Sequence, residues 1–371
     1  MLIFTLLCSS LLFSCSEREP EIKAITIGWI GPLTGPVSLL GVDNLNAIKL
    51  ALEDYHNNKR PKEPDILLVA EDDQYDATKS VDAYKRLVEN HKPTIIFLST
   101  YTAMFLLADD ALRDGIVIVN PIDNDKNLAK LNKNTITIAK PTDSLAEVIE
   151  KALLRDERKN IFILYYKGDD FMPAVALLLA ERLKSVGKEY QLQSYVSSNS
   201  SFEKEIERAK ILGSDAYVML GYSEIGHAMN LARHNQIDAS FYTANIMMKD
   251  IASGAMEGTQ FFDMTYLDAN EQLARILLQR YEKRFKQVPI LQWTIFQAFD
   301  AANIIIDIVK QPVSERESNI EHILSKIYST KNYQGVSGDI TILEDGTSSG
   351  ITPGLYEYSG NKVKKVVLSQ Q

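Results

Sequence analysis

Ile27-Gly-Trp-Ile-Gly-Pro-Leu-Thr-Gly35 is the segment that points most clearly to a fold class. It continues an apolar run, Ala24–Ile30, whose length and β-branched residues predict a buried strand, and it then turns through glycine and proline. A helical stripe follows, in which apolar side chains recur every three or four residues: Leu45, Ile48, Leu52 and Tyr55. A buried strand, a short loop and an amphipathic helix together predict the start of a βαβ unit.

The same alternation continues and then starts again further along the chain. Buried strands are predicted at Asp65–Ala70, Thr94–Ser99 and Gly115–Val119, with helical stretches between them. A second series then begins with a strand at Asn160–Tyr165 and a helix at Phe171–Val186. Strands that alternate with helices predict parallel sheets with right-handed crossovers. A chain of 371 residues exceeds the usual size of one hydrophobic core, so two α/β domains are expected.

Helix boundaries and late strands complete this prediction. Ser144-Leu-Ala-Glu147 is typical of a capping box, in which the Ser and Glu side chains bond the first free N–H groups of a helix. Long helices are predicted at Glu271–Phe285 and near Trp293–Val309. The C-terminal part contains short predicted strands at Gly338–Leu343, Leu355–Tyr358 and Val363–Val367.

The N-terminal residues have the pattern of a secretion signal. Residues 1–14 are uncharged and mostly apolar, in a run too short to span a bilayer, although the usual basic residues before it are missing. They lead into Leu12-Phe13-Ser14-Cys15, which resembles a bacterial lipobox. We therefore expect a lipoprotein signal peptide over residues 1–14, lipidation of Cys15 and a polar tether over residues 15–23. The alternative is a buried apolar strand or a disordered terminus.

Charge and cysteine content narrow the possible partners. The formal net charge is −9, and this acidity without a basic stripe argues against nucleic acid as the partner. The only cysteines are Cys8 and Cys15, so the expected mature domains contain no disulfide, cysteine-based metal site or cysteine nucleophile. We expect neither a metal nor another cofactor.

The motifs of common enzymes are missing from the sequence. The chain contains no nucleophile elbow, Walker A motif, dinucleotide-binding glycine fingerprint or zinc-protease motif. None of its five histidines is paired at the spacing of metal ligands. Carboxylate pairs such as Asp72-Asp73 and Asp169-Asp170 are common in the turns of α/β proteins. Two α/β domains without a catalytic constellation favour binding over catalysis.

Several short motifs together resemble those of a known family. Their order and spacing are similar to those of type 1 periplasmic binding proteins, in particular the branched-chain amino acid (leucine/isoleucine/valine) receptors of ABC transporters. The resemblance covers nearly all of residues 24–358. The motifs are Ile27–Gly35, Glu71–Asp76, Ile95–Thr102, Asp114–Pro121, Phe299–Ala301, Tyr333–Gly338 and Asp345-Gly346.

The resemblance implies two Rossmann-like lobes that are joined by three crossovers, with a ligand cleft between them. Carried over to this chain, lobe 1 spans residues 24–139 and 266–336, and lobe 2 spans residues 140–265 and 337–371. The lobes are expected to close on a solute by a hinge motion.

The resemblance also implies which residues bind the solute. In lobe 1 they lie at the carboxyl ends of strands, where a parallel sheet presents its loops to a ligand. In lobe 2 they follow the third and fourth strands, together with Phe171 beside Asp170. Trp29 and Trp293, by contrast, are interpreted as core or hinge residues. The candidate positions are Ser99, Thr100, Tyr101, Thr102, Ile122, Asp123, Asn124, Phe171, Tyr222 and Asn245.

Departures from the family pattern leave alternatives open. Asn245 stands near the position where the receptors have a Glu that pairs with the ligand's ammonium, which weakens the case for an α-amino acid. Asp123 replaces a small residue, so it either reaches a cationic or polyhydroxylated solute or faces solvent. Thr100 and Thr102 are alternatively N-caps of the following helix.

The implied function is that of an extracytoplasmic solute-binding lipoprotein of an ABC uptake system. Its expected partners are a small-molecule solute and the ABC permease of the inner membrane, and the lipid is its only expected attachment to the membrane. The alternative is an envelope sensor or regulator lipoprotein of the same fold that takes no part in transport.

Overall fold

The chain folds into two large sheets, one parallel and one mostly parallel, with helices packed on them. The computed structural model describes residues 24–196, 201–222, 224–244, 256–263, 270–289, 291–311, 319–360 and 362–368. The expected signal peptide and tether, with Cys15, lie outside the described residues, and so does Asn245. Among the described helices, none is long and apolar enough to cross a membrane.

The first sheet has five parallel strands in the order β2-β1-β3-β4-β5. Strand β1 pairs with β2 on one side and with β3 on the other, so the strand order reverses its direction at β1. This reversal opens a crevice at the carboxyl ends of the strands. The strands are β1 Ile25–Gly31, β2 Ile66–Asp72, β3 Ile95–Leu98, β4 Val117–Asn120 and β5 Thr135–Thr137.

Helices from both ends of the chain cover the first sheet. The early helices are α1 Ser38–Asn58, α2 Ala77–His91 and α3 Tyr101–Asp114. The late helices are α8 Glu271–Phe285, α9 Gln292–Val309 and α10 Asn319–Tyr328. Helix α9 packs along α1, and Ile48, Trp29 and Phe296 share one buried core.

The second sheet has seven strands in the order β15-β14-β10-β9-β8-β6-β7, with β14 and β15 antiparallel to their neighbours. The strands are β6 Asn160–Tyr166, β7 Glu189–Tyr195, β8 Ala216–Leu220, β9 Ser240–Thr243, β10 Thr259–Asp263, β14 Gly354–Ser359 and β15 Lys362–Val366. Its helices are α4 Thr142–Arg155, α5 Phe171–Ser185, α6 Glu203–Ile211 and α7 Ile225–His234.

Strand β6 explains why helices lie on both faces of this sheet. Ile161 and Ile163 belong to one buried core, whereas Phe162 and Leu164 belong to another. Alternate residues of a strand point to opposite faces, so a continuous apolar strand needs cover on both sides. The predicted fold class, two α/β lobes built on parallel sheets, is confirmed.

A small antiparallel sheet extends the first lobe. Its strands are β11 Tyr333–Gln334, β12 Asp339–Ile342 and β13 Ser348–Ser349. Ile340, Ile342 and Ile351 lie in the core of the first lobe, and the N–H of Thr137 donates to the carbonyl of Gly346 at 2.9 Å. Since the sequence analysis assigned residues 337–371 to lobe 2, we propose that lobe 1 instead extends to residue 351.

The start of α4 differs from its prediction. The helix begins at Thr142, after the extended residue Pro141, and Ser144 donates its hydroxyl to the carbonyl of Pro141. The capping box predicted at Ser144 is therefore wrong, because this residue lies inside the first turn.

The chain passes between the two lobes after β5, between β10 and α8, and between β13 and β14.

Candidate functional site

A cavity of about 50 Å³ lies between the lobes, beside the carboxyl ends of their parallel strands. This volume has room for only a few water molecules, so the two lobes are nearly closed on each other. Its surface is mostly apolar and aromatic with a few convergent polar groups, the composition typical of a small-molecule site. The lining residues are Val37, Leu40, Tyr75, Ile122, Asp123, Lys140, Leu145, Phe171, Met172, Tyr222, Phe262, Leu291 and Trp293.

Asp123 supplies a buried carboxylate to the cavity. It follows β4, whose last residue, Asn120, accepts hydrogen bonds from the N–H groups of Ile122 and Asp123 at 2.8 Å each and so fixes the turn. Burial, with the nearby charges of Asp125 and Asp169, raises the pKa of Asp123 to about 7, although Asn120 and Lys140 act in the opposite direction. The carboxyl group therefore titrates near neutral pH.

Tyr75 reaches the cavity from the acidic turn after β2. Asp72 and Asp73 accept hydrogen bonds from the N–H groups of Gln74 and Tyr75, and these two residues have left-handed φ angles of 55° and 61°. Asp76 caps α2 by accepting from two helix N–H groups. The carboxylates of this turn thus hold its backbone, and the turn presents the tyrosine ring to the cleft.

The second lobe contributes a carboxylate and two aromatic rings. Asp169 accepts from the N–H groups of Phe171 at 3.0 Å and Met172 at 3.1 Å, so it caps the start of α5, and it also accepts from the hydroxyl of Tyr222. Burial and the negative charge of Asp169 raise the pKa of Tyr222 well above its usual range. Tyr75 lies close enough to this pair to raise the pKa of the Tyr222 hydroxyl as well.

Lys140 and Trp293 form the end of the cavity near the crossover after β5. The Lys140 ammonium lies 3.2 Å from the centroid of the Trp293 ring, a cation–π contact. The N–H of Lys140 donates to Gln297 at 2.8 Å, and Gln297 in turn donates to the carbonyl of Pro121. Trp293 is 5 % exposed, and its Nε1–H has no hydrogen-bond partner among the described residues.

Four candidate positions from the sequence analysis line this cavity: Ile122, Asp123, Phe171 and Tyr222. Their role as ligand contacts remains a prediction. Trp293, which the sequence analysis interpreted as core or hinge, packs in the core of the first lobe and lines the cavity as well. Trp29 lies wholly in that core.

The predicted hydroxyl cluster at the end of β3 has other partners. Ser99 donates to Asn44 at 3.3 Å and Thr100 donates to Asp73 at 2.6 Å, whereas Thr102 donates across the cleft to Asp170 at 2.7 Å. None of these side chains lines the cavity. The threonines do not cap α3 either, since no side-chain cap bond is made at its start.

Tyr101 and Asn124 also lie outside the cavity lining. Tyr101 packs edge to face on Phe171, with ring centroids 6.4 Å apart, and so joins the lobes beside the cavity. Asn124 donates to the carbonyls of Ala139 at 2.9 Å and Ser348 at 2.7 Å, and it accepts from Thr137. It thereby ties two crossover segments together at the hinge.

Sequence reasoning missed Tyr75, Lys140 and Trp293 as lining residues. Tyr75 lies inside a turn whose carboxylates gave the stronger signal, and Lys140 lies in a crossover with no motif of its own. Within the described chain, no group of His, Cys, Asp and Glu has the geometry of a metal site. The cavity chemistry is that of reversible binding by hydrogen bonds, charge and aromatic contact.

Comparisons with known proteins agree with this architecture. The sequence profile described as "Periplasmic binding protein" matches residues 24–353. The Leu/Ile/Val-binding protein homolog 3 of Brucella melitensis is 21% identical over 350 residues, which cover 91% of this chain and 92% of that protein.

Solved structures show the same fold. A leucine-binding protein of Thermotoga maritima superposes with a TM-score of 0.79 at 18% identity, over 93% of this chain and 98% of that chain. The branched-chain amino acid transporter substrate-binding protein LivJ of Streptococcus pneumoniae, solved with isoleucine, also has a TM-score of 0.79, at 17% identity over 92% of this chain and 99% of that chain. The family consists of solute-binding proteins and not of enzymes. This chain therefore belongs to the periplasmic binding protein family, with the type 1 fold of the leucine/isoleucine/valine receptors.

Proposed function

We propose that this protein is the extracytoplasmic solute-binding component of an ABC uptake system and that it binds an amino acid or a related small polar organic solute. The observation that carries the proposal is the cavity enclosed by both lobes, to which Asp123 and Trp293 contribute from one lobe and Phe171 and Tyr222 from the other. A solute held by both lobes stabilises the closed form, because it makes its full set of contacts only there.

Two direct contacts between the lobes support hinge closure. Thr102 bonds Asp170 at the cleft edge, and the Tyr101 ring packs on Phe171. Opening the hinge breaks both contacts and exposes the cavity to solvent. Family membership further implies that the closed, loaded protein delivers its solute to an ABC permease.

A thermal-shift screen of the soluble protein tests this function. Residues 16–371 are purified, unfolded and refolded to remove any bound solute, and melted with amino acids, amides, amines, polyamines, sugars, nucleosides and short peptides. A solute at 100 times its Kd stabilises the native state by about 2.7 kcal/mol, which raises the Tm by several degrees. A panel in which nothing raises the Tm contradicts solute binding and favours the sensor or regulator alternative.

We also propose that Cys15 is lipidated and anchors the mature protein to a membrane. The support is the apolar run of residues 1–14 and the Leu-Phe-Ser-Cys sequence that follows it. Multiple acyl chains are needed for stable anchoring, since one chain binds membranes only weakly. Metabolic labelling with a fatty acid in a bacterial host should label the full chain and its Cys8→Ser control, but not Cys15→Ser. Equal labelling of both variants would refute the assignment.

A further inference from the structure

We propose that the bound solute is a small monocation that also carries a neutral hydrogen-bond acceptor, with its N–H donor on Asp123 and its acceptor on the indole N–H of Trp293. This inference rests on the proposed solute-binding function and names the chemical class of the solute. It differs from the zwitterionic amino acids that the names of the relatives suggest.

The first argument is the state of the Asp123 carboxylate. The residue is only 4 % exposed and lines the cavity, yet the only hydrogen bond that its carboxylate accepts from the described residues is a long one, 3.4 Å from Asn120. A buried carboxylate without good donors is costly to keep ionised. A cationic N–H group in the cavity supplies both the missing donor and the missing charge.

The second argument is the balance of charge around the cavity. Among the described residues, the negative charges of Asp125 and Asp169 and the positive charge of Lys140 act on Asp123. Asp125 already accepts from two backbone N–H groups, and Asp169 from two backbone N–H groups and Tyr222. Three carboxylates near one ammonium leave a negative excess, which a monocation offsets and a zwitterion does not.

The third argument is the Trp293 indole, an observation independent of the carboxylates. Trp293 lines the cavity, and its buried Nε1–H has no acceptor among the described residues. Unmet buried donors cost free energy, so an acceptor on the solute is favoured there. A carboxamide or ether oxygen meets this need without bringing another charge.

The fourth argument is that the hydroxyls which the family resemblance assigns to a ligand already have partners within the protein. Thr100 is bonded to Asp73 and Thr102 to Asp170, and both lie outside the cavity lining. Neither is therefore available at the cavity to bind a solute carboxylate. The aromatic faces of Phe171 and Tyr222 suit the apolar body of a small amine.

Four probes that share one branched alkyl body test the proposal by calorimetry on refolded protein at pH 7, where the α-amine of an amino acid amide is mostly protonated. They are leucinamide (cation with acceptor), isopentylamine (cation alone), leucine (zwitterion) and 4-methylpentanoate (anion). We expect leucinamide to bind at least ten-fold more tightly than leucine and 4-methylpentanoate, and more tightly than isopentylamine. Leucine binding as tightly as leucinamide, or no amine binding at all, would overturn the proposal.

Two variants assign the contacts. Asp123→Asn, which keeps the shape and removes the charge, should weaken both amines at least ten-fold. Trp293→Phe keeps a ring and removes the N–H, so it should weaken leucinamide several-fold and leave isopentylamine unchanged. The matched control is Asp307→Asn on the half-exposed side of α9, which should bind all probes like the parent protein.

The outcomes separate this proposal from the function on which it rests. One outcome is that leucine or another solute without a net positive charge stabilises the protein and Asp123→Asn binds it equally well. The solute-binding function is then supported, and the proposal of a monocation is refuted. If no compound in this set or in the broad screen binds, the solute-binding function itself is refuted.

Discussion

The hydroxyl of Thr102 on the first lobe donates to the carboxylate of Asp170 on the second at 2.7 Å, across the edge of the cleft. This hydrogen bond exists only while the hinge is closed. It therefore contributes to the balance between the open and closed forms rather than to the stability of either lobe.

Loss of this bond should favour the open form. Thr102→Val removes the donor of a solvent-exposed hydrogen bond, and such a bond contributes about 1 kcal/mol. Solute affinity should fall roughly five-fold, and small-angle scattering should report a larger radius of gyration without solute. Thr78→Val, an exposed position in the first turn of α2, is the control. Unchanged affinity and radius would mean that the bond does not influence closure.

Solute binding should change the fluorescence of Trp293 alone. The chain has two tryptophans; Trp29 is fully buried with its N–H bonded to Asn44, whereas Trp293 lines the cavity. A solute that displaces water from Trp293 should move its emission to shorter wavelength. The change should persist in Trp29→Phe and disappear in Trp293→Phe, and the reverse pattern would place the solute elsewhere.

Asp123 should make the stability of the solute-free protein depend on pH. Its pKa is raised to about 7 by burial, so the folded protein binds this proton more tightly than the unfolded chain. This stabilising contribution is complete at about pH 4 and is lost as the pH rises through 7. At roughly 1.4 kcal/mol for each pKa unit, the rise from an ordinary value of 3.8 to about 7 makes the loss on the order of 4 kcal/mol at pH 8.

Asp123→Asn removes the carboxyl group whose ionisation destabilises the folded protein at high pH. The variant should therefore be more stable than the parent at pH 8 and equally stable at pH 4, as measured by chemical denaturation without solute. The charged neighbours Asp125, Asp169 and Lys140 are retained, so they act equally on both proteins. A stability difference that does not vary with pH would contradict this assignment.

Asp300 should stabilise the fold of the first lobe. It is buried in α9 and accepts from the N–H groups of Val336 at 2.8 Å and Ser337 at 2.7 Å. Asp300→Ala leaves both donors unsatisfied and should lower the free energy of unfolding by about 2–3 kcal/mol. Asp307→Ala on the same helix should change it by less than about 0.5 kcal/mol. Similar effects of both variants would show that the buried bonds are not responsible.

The sequence predicts those helices and strands whose apolar residues form a clear run or recur regularly. The apolar run Ile95–Leu98 is a central strand buried on both faces, and it lies inside the predicted strand. The helix Glu271–Phe285 is predicted with its observed bounds, since its apolar stripe is regular. By contrast, Glu189–Tyr195 is an edge strand with partly exposed polar side chains, and its sequence does not show the apolar pattern of a strand.

A residue of the site is predictable from the sequence only where it directly follows a strand. Asp123 follows the predicted strand Gly115–Val119, and the family resemblance places Tyr222 after a strand of the second lobe, so the topology brings both to the cleft. Trp293 reaches the same cavity from the start of a helix about 170 residues further along the chain than Asp123, as the residue numbers show. The partner of Thr102 is Asp170, which only the closure of the lobes brings within reach. Long-range proximity of this kind leaves no local signal.

The core of the first lobe has a consequence for the order of folding. It joins Ile27 near the start of the described chain to Ile340, Ile342 and Ile351 near its end. Contacts between such distant residues form slowly, because a long loop must close before they contribute. The first lobe therefore cannot complete its core until almost all of the described chain has been synthesised, so the unfinished chain presents apolar core residues to any machinery that handles unfolded protein.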